Sequence, residues 1–154
     1  MRNRSFVALS MLIGFQVVSP AYSVPVTFTG LVVNTCVINI TTPGVLGLAT
    51  SGTTLSSEEI GGANALLAII ATGSAPQLQF SQPQLTGPAA SLSGATQMMA
   101  YTSPGGAAQP YTSSASTYTM TRLIDAFTVK AKASNVSGFA SGTYSVSSTV
   151  TCQQ

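Results

Sequence analysis

Histidine is absent from this 154-residue chain. Without an imidazole the chain lacks the commonest general base and the commonest neutral metal ligand. Carboxylates are almost as scarce, with Glu58, Glu59 and Asp125 the only acidic side chains. Neighbours on an extended chain point to opposite faces, so Glu58 and Glu59 make a poor acid–base pair. Asp125 follows Arg122 closely, and a salt bridge at a strand end is the expected use of both. A zinc site needs about four clustered Cys, His or acidic ligands, which this composition does not offer. No glycine-rich phosphate loop, nucleophile elbow or calcium loop occurs either. These absences argue against an enzyme, a metal centre or a bound cofactor.

Charge of either sign is rare. Only 5% of residues carry it, against about 25% in ordinary soluble proteins. Solubility must therefore rest on Ser, Thr, Gln and Asn, and a surface without charge repulsion favours self-association. Two of the five basic residues, Arg2 and Arg4, open an N-terminal segment that continues as the apolar run 6–18 and ends in Ser19-Pro-Ala-Tyr-Ser23. That order is the pattern of a secretory signal peptide cleaved after Ala21 or Ser23. The run is short for a membrane span, which needs about 20 apolar residues. Residues 1–23 are thus expected to be removed, leaving one domain over 24–154 with no membrane span. The exported domain keeps Arg122, Lys130 and Lys132 against three acids, for no net charge. Nothing in it would attract nucleic acid or an anionic lipid surface. The periplasm, the cell surface or the medium is its expected location.

The chain has two cysteines, Cys36 and Cys152. In an exported protein two cysteines most often form a bridge. A Cys36–Cys152 disulfide would join the two ends of the domain. Cys152 closes the run Ser141–Cys152, in which Tyr144, Val146, Val150 and Cys152 alternate with Thr and Ser. This is the period of a half-buried strand. Cys36 lies in a longer extended run, Val24–Ile40, that is apolar on both faces. Such a strand is buried on both faces, changes sheets midway, or lends one face to a neighbouring molecule. Gly30 is a natural bend within it.

Between these ends the punctuation is that of strands. Thr41-Thr-Pro-Gly44 predicts a turn, and Ala65–Ala71, bracketed by Gly62 and Gly73, predicts a central buried strand. Leu78 and Phe80 alternate with glutamines, and Met98–Thr102 and Phe127–Ala133 are further strands. Tyr118–Ile124 is a weaker one, and Tyr111–Ser116 is read as connection. No amphipathic helix of useful length is present. The expectation is an all-β sandwich of about seven to nine short strands. Tyr101, Tyr111 and Tyr118 would form a stacking platform for a sugar if exposed together, but core packing is the commoner use. The sequons at Asn39 and Asn135 are short and common by chance.

The run Val26-Thr-Phe-Thr-Gly-Leu-Val-Val-Asn-Thr-Cys36-Val resembles the start of mature major pilins of the chaperone–usher type. Gly138-Phe-Ala-Ser-Gly-Thr-Tyr144-Ser-Val is similar to the closing strand of spore coat protein U-like and fimbrillin-like domains. The resemblance implies an immunoglobulin-like, pilin-like sandwich in a fimbrial, adhesive subunit. Its implied partners are further pilus-type subunits and a periplasmic chaperone. If strand addition operates, Val24, Val26, Phe28 and Leu31 would be the segment engaged. Two features depart from pilins. The only partner for Cys36 is at the C-terminus, and few residues precede the first strand. Both point instead to a self-complete sandwich. The rival expectation is a periplasmic or secreted binding module for a glycan or protein partner.

Overall fold

The computed structural model describes residues 25–154, so the expected signal segment 1–23 and Val24 lie outside the described residues. Twelve short strands and one four-residue helix account for the regular structure. In chain order these are β1 (Cys36–Thr42), β2 (Gly47–Leu48), β3 (Thr54–Ser56), β4 (Ala65–Ala71), β5 (Gln77–Phe80) and β6 (Gln84–Thr86). They continue with the helix α1 (Ala89–Leu92), β7 (Thr96–Thr102), β8 (Ala108–Thr112), β9 (Ser116–Thr119), β10 (Ile124–Ser134), β11 (Ser145–Ser147) and β12 (Val150–Gln153). The all-β expectation therefore holds. The strands are more numerous and shorter than expected, and they form three sheets.

The long strand β10 organises the first sheet. One of its edges pairs antiparallel with β4 and then β3, while the other pairs with β7. β1 extends the sheet beyond β4, β2 beyond β3, and β8 beyond β7, giving seven strands. The second sheet is β12-β5-β9 and the third is β11-β6. These two behave as one bent ladder, broken on both strands at the same height. Pro83 interrupts the β5–β6 side, where it can donate no ladder hydrogen bond. On the same side, Ser81 reaches across to the gap between β11 and β12. Its amide donates to Thr149 O at 2.9 Å, and its Oγ accepts from the Thr149 amide at 2.8 Å. The expected closing strand Ser141–Cys152 is thus two strands. Its alternation still holds, with even positions half-buried and odd positions exposed from Tyr144 to Gln153.

Side chains from both faces share one core. Leu67, Ile69, Ala71, Phe127, Val129 and Tyr101 come from the large sheet, and Leu78 and Phe80 from β5. Phe80 stacks on Tyr101 with ring centroids 4.2 Å apart, and Tyr118 meets Phe127 edge-on at 5.7 Å. Each such aromatic pair adds roughly 0.5–1.5 kcal/mol beyond the area it buries. The disulfide between Cys36 and Cys152 is present, with a Cα–Cα distance of 6.3 Å. It ties β1 of the large sheet to β12 of the second.

Three expectations need correction. Ala65–Ala71 is a central strand, but only its odd positions are buried; Leu66 and Ile70 are 41% and 45% exposed on the outer face. Tyr111, Thr112 and Ser116, expected in a connection, belong to β8 and β9, and of the strand expected over Tyr118–Ile124 residues 120–123 are irregular. Most consequential, the run Val24–Ile40 is not one strand. Regular pairing begins only at Cys36, and residues 25–35 are irregular and exposed throughout. The chain divides at Gly30 into two units, of which Leu31–Gln154 holds every strand and Pro25–Gly30 has no regular structure.

Candidate functional site

Two of the three carboxylates, Asp125 and Glu58, are engaged in holding the fold. Asp125 is 5% exposed and does not pair with Arg122. Instead Ser103 Oγ donates to its Oδ2 at 2.6 Å, and the amides of Gly105 and Ala126 donate to its Oδ1 at 3.1 and 2.9 Å. A Cβ on Gly105 would sit 2.1 Å from Oδ2, so only glycine lets the turn approach the carboxylate. The expected salt bridge is replaced because a turn packed over the strand start supplies two donors and the strand's own Ala126 amide a third. Glu58 accepts from Lys130, and also from Tyr111 Oη at 2.8 Å. The Lys130 bond, reinforced by the Tyr111 bond, holds the Glu58 carboxyl below the usual carboxylate range. Burial, and the Glu58 carboxylate beside it, push the Tyr111 phenol up to about 12. No group of three or more His, Cys, Asp or Glu converges among the described residues.

The tyrosines do not form a sugar platform. Tyr101 is 3% exposed within the core. Tyr118 is half-buried, and its hydroxyl donates to Gly105 O at 2.8 Å. Tyr111 is half-buried beside its acidic partner, on a different strand from Tyr118. Of the two sequons, Asn39 is exposed on β1. Asn135 is 2% exposed, and its amide nitrogen donates to Ser91 O at 2.8 Å. Asn135 is a structural residue that pins α1 to the end of β10.

A groove is open among the described residues. It holds a cavity of about 530 Å³ between β1 with its following turn and the strands β11 and β12. Ile40, Pro43, Val45 and Leu46 make one wall, and Tyr144, Val146 and Val150 the other. Leu67, Phe80 and Val129 of the buried core, with the half-buried Met99, form its floor. Ile40 and Val45 are 65% and 51% exposed along it. The disulfide lies beyond Val150, toward which the lining ends. At the other end Tyr144 leans on Phe139 with centroids 5.1 Å apart, and its hydroxyl donates to Ala140 O.

The groove has the borders of a missing strand. Among the described residues β1 pairs only with β4, β12 only with β5, and β11 only with β6. Each therefore keeps one edge of backbone N–H and C=O groups without a strand partner. Such edges are templates for another chain unless they are covered. The wall Tyr144–Val150 spans seven residues, or about 23 Å of extended chain at ~3.3 Å per residue.

The chain also carries a segment of the complementary kind. Val26, Phe28, Leu31, Val32 and Val33 are each at least 59% exposed. Val26, Phe28 and Leu31 of the anticipated strand-addition segment are thus unpaired apolar side chains; Val24 lies outside the described residues. The groove walls were not legible in the sequence. Their residues come from two distant stretches, and Val45-Leu46 reads there as an ordinary short apolar run. The chain matches no protein-family model, and no curated protein matches it.

Proposed function

We propose that this protein is an exported, non-enzymatic structural or adhesive subunit that assembles with copies of itself by strand addition. The fold on this reading is an immunoglobulin-like, pilin-like sandwich lacking one strand, with the groove in that strand's place. The observation that carries it is the pairing of an open apolar groove with an exposed apolar segment of matching length. Val26–Val33 extends about 26 Å as a strand, against about 23 Å of groove wall. Alternate side chains enter the groove while the backbone pairs with the free edges of β1 or β11–β12. Burying Val26, Phe28 and Val32 contributes about 1.5–3 kcal/mol each before association costs. Association costs of similar size offset that gain, so the backbone ladder supplies the surplus. A charge-poor surface is consistent with this use, since nothing repels a second copy. Until a copy arrives, a periplasmic chaperone that lends a strand is the expected partner.

The test is the state of the purified exported chain. Wild-type protein is expected to form concentration-dependent oligomers or fibres by ultracentrifugation and electron microscopy. Phe28→Asp should leave monomer melting unchanged and reduce assembly at least tenfold. A chain that remains monomeric at millimolar concentration, or a Phe28→Asp variant that assembles like wild type, would defeat the reading.

A further inference from the structure

An exposed segment and an open groove in one chain raise the question of which groove the segment fills, its own or a neighbour's. Residues 33–35 answer it. The Cys36↔Ala71 register of β1 and β4 continues outward to Thr35 and Thr72, where the Thr72 amide donates to Thr35 O at 2.8 Å. The Thr72 hydroxyl adds a clasp. It donates to Val33 O at 2.6 Å and accepts from the Thr35 amide at 3.0 Å. The Thr35 hydroxyl, also 3.0 Å away, donates to the same oxygen. Gln154 Nε2 donates to Thr35 O from the other side. Gly73, at φ +115°, leaves room for Asn34, whose Oδ1 would lie 2.6 Å from a Cβ there.

We infer that the Thr72 clasp commits the Val26–Val33 segment to the groove of a second copy by denying it its own. This rests on the strand-addition reading above and adds the residue that sets its specificity. The groove lies along β1 from Ile40 onward, whereas residues 33–35 continue β1 in the opposite direction, past the disulfide. Cys36 is fixed by its bond to Cys152. To enter its own groove the chain must therefore reverse within Asn34-Thr35 and release every bond to Thr72. A two-residue reversal needs positive φ at its centre and favours Asn-Gly or Gly-containing pairs. Asn34-Thr35 has no glycine. Gly30 is the nearest, and a reversal there would fold the segment onto residues 31–35. Thr72 is a positioning residue: it touches the base of the segment and not the groove.

The experiment uses the whole exported chain in three forms: wild type, Thr72→Val, and a chain with Asn-Gly inserted between Thr35 and Cys36. Thr72→Val removes two or three hydrogen bonds while keeping side-chain volume, and the insertion supplies the missing hairpin turn with Thr72 intact. Sedimentation velocity gives the monomer share, and amide exchange on the isolated monomer reports whether residues 26–33 are paired. Wild-type monomers should exchange freely over 26–33 and should assemble. Thr72→Val should raise the monomer share about tenfold, as expected for two net hydrogen bonds, with 26–33 protected in that monomer. The insertion should give a self-filled monomer that no longer assembles. If wild type assembles and both variants assemble equally well with unprotected monomers, the clasp has no such role, while strand addition stands. If wild type never assembles, the strand-addition reading falls and takes the clasp with it.

Discussion

Two stretches of this chain read alike as sequence and end differently as structure. Val26–Val33 and Tyr144–Gln153 both alternate and both lead to a cysteine of the same disulfide. The second is paired over most of its length, as β11 on β6 and β12 on β5, with its even face half-buried. The first has no strand partner among the described residues, and its apolar side chains face outward. The sequence difference is in the odd face. In the closing strand it is all Ser and Thr through Thr151, suited to water. In the N-terminal run it includes Leu31 and Val33, suited to a second apolar surface. Alternation reports that a segment is fit for a sheet; apolarity on both faces reports that it is fit to be covered on both sides.

The sharpest way to break the comparison is to remove the link between the two stretches. Replacing Cys36 and Cys152 by Ser together should cost about 4 kcal/mol of stability by denaturant titration, since the bridge closes a separation of 116 residues. Loss of less than 1 kcal/mol would mean that the two ends are held by packing alone. Next in size, Asp125→Ala should cost about 3 kcal/mol, because three donors lose their acceptor. That loss should appear with no change in assembly per folded molecule, separating core from groove.

Point changes in the two stretches then sharpen the contrast directly. Val146→Ser should lower monomer stability by about 1 kcal/mol and also weaken assembly, because the side chain is half-buried in the groove wall. Val26→Ser should leave monomer stability within about 0.5 kcal/mol of wild type while weakening assembly severalfold. The smallest effects are electrostatic. Glu58 has its pKa lowered in the fold, so its contribution is present above the unfolded carboxylate range and lost as pH falls through the folded value. The side chain is exposed, so the acid-side change removed by Glu58→Gln should be no more than a few tenths of a kcal/mol. Tyr111 is raised to about 12. Its contribution is present below the unfolded value of about 10 and falls as pH rises toward 12. Tyr111→Phe should flatten the stability profile over that alkaline window.

Local patterns in the sequence mark the strands well where one element contributes the signal. Ala65–Ala71 is a strand over its full anticipated length, and the Cys36–Cys152 bridge could be expected from export and cysteine count. The features that failed to show are those that depend on distant residues meeting. Arg122 is the sequence neighbour of Asp125, yet the buried carboxylate is satisfied by a turn some twenty residues earlier. The groove draws on β1, β4, β5, β10 and the closing strands at once, so no window of sequence contains it. Its only local trace was an apolar run too hydrophobic for a half-exposed strand.

The central claim is that Val26–Val33 finds its partner in another copy. A photoreactive phenylalanine analogue at position 28, in an equal mixture of isotopically heavy and light protein, tests this directly. The account predicts heavy–light cross-links from position 28 to groove residues such as Val45 and Val146. Cross-links confined within single copies, or reaching surfaces away from the groove, would contradict it.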